Sequence, residues 1–116
     1  MSYQINKINK EIIQILDEYY DCIYVIKGEK KSLVIDLGMD NARIKPVIEY
    51  LVNTPYDIIC THGHFDHVGR SGEFDKIYMS LLDKDVYLDN YKIIDTNNTK
   101  LSFIDDLNIY NVLDKY

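Results

Sequence analysis

The chain has 116 residues, 47% of them hydrophobic and 28% charged, with a formal net charge of −6. That length suits a single domain, residues 1–116, able to bury a core, and the even spread of Ile, Leu, Val and Tyr excludes a disordered chain. The acidic balance repels phosphate backbones and anionic lipid, which sets nucleic acid and membrane surfaces aside as partners. No signal-type apolar stretch opens the sequence and no apolar run approaches membrane-spanning length, so a cytoplasmic protein is expected. Cys22 and Cys60 are far apart, each inside an apolar run, and are expected as small buried side chains with free thiols.

The first third reads as successive strands. Apolar positions begin at Ile5 and Ile8 and continue through Ile12-Ile13-Gln14-Ile15-Leu16. Tyr20 to Lys27 is rich in β-branched and aromatic residues, as strands prefer. The polar turn Gly28-Glu29-Lys30-Lys31 then joins it to Ser32–Asp36 as a hairpin. Three apolar residues in succession, Leu33 to Ile35, predict a strand buried on both faces. Ile44, Val47, Ile48, Leu51 and Val52 recur at helical spacing, with Asp40 and Asn41 as candidate N-caps and Asn53-Thr54-Pro55 as the stop. Asp57 to Thr61 is a second short buried strand, so the order strand, helix, strand predicts a right-handed βαβ crossover. Beyond it, Lys76 to Met79 reads as a strand. Leu81, Leu82, Val86 and Leu88 suggest a short helix, and the tail from Leu101 to Tyr116 has room for one or two strands.

All three histidines of the chain fall in one short run, His62-Gly63-His64-Phe65-Asp66-His67, which begins where the strand ending at Thr61 stops. Loops at the carboxyl ends of such strands are where α/β proteins place their sites. In an extended segment residues i and i+2 point the same way, so His62 and His64 can offer both rings to one ion, and Gly63 lets the backbone bend closely around it. Asp66 and His67 are adjacent and are expected to turn toward a second ion. Imidazole with carboxylate suits zinc, and also iron or manganese. A structural ion that only ties the loop down is the alternative at this point. Gly69 and Gly72 are expected to give slack to the loop that follows.

The run Thr61-His62-Gly63-His64-Phe65-Asp66-His67-Val68-Gly69 resembles the Thr-His-x-His-x-Asp-His-x-Gly signature of the metallo-β-lactamase superfamily. Tyr24 to Gly28 followed by Leu33-Val34-Ile35-Asp36-Leu37-Gly38 resembles that family's first motif, a strand pair ending in Asp-x-Gly. The likeness covers about residues 5 to 80 and implies the αβ/βα sandwich, of which this chain resembles the first half: a mixed β-sheet with covering helices. It further implies that His62 and His64 bind one metal and that Asp66 and His67 bind a second. Asp66 is also taken as the catalytic carboxylate, and Asp36 as a buried carboxylate that orients the loop. The cofactor implied is zinc, two ions in the full family site, with a metal-bound hydroxide attacking a small ester, thioester or related molecule.

Two departures bear on that reading. Arg70 stands where the family usually has a second glycine. No histidine follows His67, and Asp83, Asp95, Asp105 and Asp106 read as solvated surface charges, so two ligands per ion leave an incomplete sphere. Two functions therefore compete: a metal-dependent hydrolase, and a non-catalytic half-domain that binds metal weakly or acts as an assembly unit. Strands buried on both sides with a helix to cover one side predict an exposed apolar face. A homodimer, or a complementing second half, is expected to cover it.

Overall fold

The computed structural model describes residues 3–39, 43–61, 63–89 and 100–104. The elements run β1 (Gln4–Lys7), β2 (Ile12–Leu16), β3 (Cys22–Ile26), β4 (Ser32–Ile35), α1 (Lys45–Leu51), β5 (Tyr56–Cys60), α2 (Phe65–Val68), β6 (Lys76–Ser80), α3 (Lys84–Asp89) and β7 (Lys100–Ile104). All seven strands join one sheet in sequence order. β1 to β4 pair antiparallel, and β4 to β7 pair parallel. The mixed sheet thus begins as a meander and continues as helical crossovers. The hairpin around Gly28 and the helix between β4 and β5 stand where periodicity puts them. Of the tail, Lys100–Ile104 is a strand, and the stretch expected beyond it lies outside the described residues.

The start of α1 differs from expectation. Ile44 is the N-cap and supplies no side-chain acceptor, while Asp40 and Asn41 lie outside the described residues. The free N–H groups of this first turn are met from elsewhere in the chain. The Glu73 carboxylate accepts from Ile44 N at 2.9 Å and from Lys45 N at 3.3 Å. A carboxylate at a helix start also opposes the positive end of the helix dipole. Pro46 costs nothing here, because a residue in the first turn has no intrahelical acceptor to lose.

Strand register sorts the side chains. Ile13, Val25, Val34 and Ile58 face one another across four strands and pack under Ile44, Ile48 and Val52, with Val68 of the histidine-run helix joining the cluster and Phe74 set edge-on against Tyr56 at the amino end of β5. The three parallel crossovers all advance in one direction, and right-handed connections of that kind put their helices on one face of a sheet. The other face carries Tyr24, Ile35, Ile59 and Tyr78 in one row and Ile12, Ile26 and Leu33 in the next. A one-sided sheet would alternate apolar with polar residues, and the central strands β3 and β4 do not. Cys60 is buried on the helix face, but Cys22 is exposed, contrary to expectation. It pairs with Leu16 at the end of the β2–β3 ladder, on the face away from the helices.

Candidate metal centre

The site is built at the carboxyl edge of β4, β5 and β6. β4 leads directly into Asp36, whose φ of 65° is in the left-handed region. An aspartate tolerates that region better than most residues, though at some cost. The backbone around it is sewn on both sides: Asp36 N donates to Ile59 O, Leu37 N to His67 O, and Gly69 N to Gly38 O, each at 2.9 Å. Gly38 sits at φ 69°, and a Cβ there would lie 2.5 Å from Arg70 Nη1. Gly69 is therefore buried and hydrogen-bonded against Gly38, not a source of slack as expected; Gly72 is exposed.

The result is a buried carboxylate aimed at the histidine run. Asp36, 6% exposed, accepts the Thr61 N–H at 2.8 Å and the Thr61 hydroxyl at 2.9 Å, which ties it to the end of β5. His67 Nδ1 lies 2.9 Å from Asp36 Oδ2. With an ionised carboxylate as acceptor, Nδ1 carries the proton and Nε2 keeps its lone pair. That Nε2 lies 3.6 Å from Asp66 Oδ2. Two ligand atoms on a tetrahedral zinc, with bonds of about 2.0–2.1 Å, are roughly 3.3–3.4 Å apart, so this pair is spaced to share an ion. Asp66 and His67 both belong to α2, a single turn whose N-cap is the exposed, extended His64. His62 lies outside the described residues. Among the described residues no three His, Cys, Asp or Glu side chains form a metal-ligand set.

Four residues that local pattern leaves without a role in the site surround this edge. Arg70 follows α2 and is 2% exposed. Its Nη1 donates to Leu37 O at 2.8 Å and to Asp17 Oδ2 at 3.1 Å, and the guanidinium lies over the Tyr3 ring. The departure from glycine at this position is thus a brace between the motif helix and the loop after β4. Asp17, at the end of β2, also accepts the N–H groups of Tyr19, Asp21 and Met39. Burial pushes its carboxyl up, but these hydrogen bonds and Arg70 hold it below the usual range. Asp21 is the converse. Burial, then the neighbouring Asp17, then Asp66 push it up to about 6, with His67 opposing. Its Oδ2 is buried with no hydrogen-bond partner among the described residues. Asp83 is half-buried and accepts the Gly63 N–H at 3.4 Å, so it is not the free surface charge expected; Asp95, Asp105 and Asp106 lie outside the described residues. Beneath the site, burial followed by the charge of Asp36 raises the Cys60 thiol well above its ordinary range, which keeps it protonated and inert.

The mixed sheet with its helical crossovers, carrying a carboxylate-oriented histidine beside an aspartate at its carboxyl edge, defines an α/β domain. Residues 22–79, half of the chain, match the model of the metallo-beta-lactamase superfamily, and the chain belongs to that superfamily. No curated protein matches it. Solved structures do, at low identity and over the fold alone. The metallo-beta-lactamase FIM-1 from Pseudomonas aeruginosa, in its mono-zinc form, is 14% identical with a TM-score of 0.61. A metallo-beta-lactamase from Hirschia baltica is 12% identical with a TM-score of 0.67, and one from Pontibacter korlensis is 14% identical with a TM-score of 0.67. The match covers 90%, 89% and 90% of this chain and 51%, 52% and 54% of theirs respectively, so the chain spans about half their length. Among the described residues no helix is long and apolar enough to cross a membrane.

Proposed function

We propose that this chain supplies the motif part of a zinc-dependent hydrolase acting on a small ester, thioester or related molecule. The observation that carries the reading is the His67 ring, fixed through Nδ1 by Asp36 and presenting Nε2 beside Asp66 Oδ2. Zinc, when bound, supplies Lewis acidity and brings the pKa of a coordinated water toward neutrality. The chain's own residues do the rest. Asp36 holds the tautomer that keeps the Nε2 lone pair outward, and Thr61 holds Asp36. Asp66 offers a carboxylate oxygen to the ion and an acceptor for a proton. His62 and His64, two residues apart, are assigned to the other ion. Iron or manganese suits the same donors.

The reading needs more ligands than His62, His64, Asp66 and His67, because a zinc ion takes four. A second copy of the chain, or a complementing half, is assigned to supply them. The test is hydrolysis of a panel of thioesters, lactones and activated esters by zinc-loaded protein, before and after chelation and in Asp66→Asn. Turnover that disappears with chelator and in Asp66→Asn is expected. Turnover unaffected by both, or none on any member of the panel, would contradict the hydrolase. The second reading, a half-domain that holds metal weakly or serves assembly, draws on the two-donor set at α2. A loosely held single ion per chain without turnover is its signature.

A further inference from the structure

β5 and β6 are parallel neighbours, so their carboxyl ends open on the same sheet edge. β5 delivers the histidine run there. β6 ends at Ser80, whose Oγ accepts the Leu82 N–H at 3.2 Å and so starts the single turn Leu81–Asp83. That turn returns the Asp83 side chain toward the neighbouring loop, where Oδ1 accepts the Gly63 N–H at 3.4 Å. Gly63 is buried and stands between the two histidines of the His-x-His pair. Whether two such side chains can face one ion is set by the backbone of the residue between them. A buried N–H at that residue needs an acceptor, and an ionised one binds it more strongly than a neutral one.

We infer that Asp83 is a positioning residue of the metal centre: it fixes the peptide between His62 and His64 and thereby pre-sets that pair for the ion. It acts through the loop and is not a ligand. The inference rests on reading the histidine run as a metal centre. It assigns to the β6–α3 turn a role in metal affinity that neither motif of the family likeness includes. The contact spans 20 residues of sequence, which is why no local pattern announces it.

Two variants of the full chain separate the possibilities. Asp83→Asn keeps an Oδ1 acceptor, and Asp83→Ala removes it. Zinc affinity is measured by competition with a chromophoric chelator, and Gly63 amide exchange is followed by NMR in metal-free protein. Loss of an outer-shell partner weakens metal binding by about 10–100-fold. That loss is expected in Asp83→Ala, together with faster Gly63 exchange, while Asp83→Asn stays within about threefold of the parent. A role confined to overall stability would lower the thermal midpoint without moving the affinity, and would overturn the inference. Equal weakening in both variants would overturn it too, by making the charge and not the hydrogen bond the cause. Unchanged affinity in Asp83→Ala would do the same. If the parent takes up no zinc while the Gly63 amide still responds, the metal reading itself has failed, and Asp83 is a loop brace only.

Discussion

Replacing Arg70 by Met removes the cation paired with Asp17 and keeps most of the side-chain volume. Both partners are inside the protein, with side-chain exposures of 1% and 0%. At 3.1 Å between Nη1 and Oδ2, the charges attract by about 5 kcal/mol at an effective dielectric near 20. Breaking a buried pair from one side costs about 3–5 kcal/mol, because the other charge is left uncompensated. Three backbone N–H groups still reach Asp17, which places the loss near the low end, about 3 kcal/mol. That is a large part of the stability of a domain this size. Urea denaturation should show it as a fall in midpoint of roughly 2 M at unchanged slope, taking a slope near 1.5 kcal/mol/M. Asp17→Asn combined with Arg70→Met should recover part of the loss, since no stranded charge remains. The Asp17 carboxyl is held below its ordinary value, so the pair contributes above the unfolded pKa and is lost as pH falls through the folded one. The gap between parent and Arg70→Met should therefore close in strong acid. A loss under about 1 kcal/mol at pH 7, or a double variant worse than Arg70→Met alone, would refute the reasoning.

Gly38→Ala should destabilise by more than about 2 kcal/mol in thermal denaturation, since the left-handed region alone costs an L-residue roughly 1–2 kcal/mol and the added Cβ meets the buried Arg70 and Asp17 side chains. In metal-free protein Asp21, raised to about 6, binds its proton more tightly folded than unfolded. Stability should fall as pH rises from about 4 to 6, and Asp21→Asn should flatten that slope and gain stability at pH 8; an unchanged slope would contradict the assignment. The second sheet face, through its half-buried Ile12, Tyr24, Ile26, Ile35 and Tyr78, should drive self-association by a two-fold contact with a second copy. Its ionisable groups, Lys31, Asp57 and Lys76, include the 2.6 Å pair Lys31–Asp57 and add little repulsion. Sedimentation at micromolar concentration should give a dimer, and a monomer would contradict this.

The hairpin at Gly28, the helix stripe from Ile44 to Val52 and the histidine run were legible because each is written in neighbouring residues. Periods of 2 and 3.6 report which face is buried, and the run reports its donors by type and spacing. What escaped is long-range. Glu73 caps a helix 28 residues upstream, and Arg70 reaches Asp17 across 53. A charged residue in a loop carries no local mark of burial; its partner is chosen by the fold. Arg70 was visible only as a departure from glycine, and Asp83 only as one acidic residue among several. The N-cap of α1 failed for the same reason: local rules look for the acceptor next to the helix, and here it comes from the turn after α2.

Zinc binding to the full chain by isothermal titration, in the parent, in Asp36→Asn and in His67→Ala, tests the account most directly. The parent is predicted to bind. His67→Ala should abolish the ion shared with Asp66. Asp36→Asn should weaken zinc by about 10–100-fold with its circular dichroism unchanged, because an amide holds the His67 tautomer less firmly than a carboxylate. A parent with no zinc heat, or an Asp36→Asn variant that binds as tightly as the parent, would contradict the claim that Asp36, His67 and Asp66 form a metal centre.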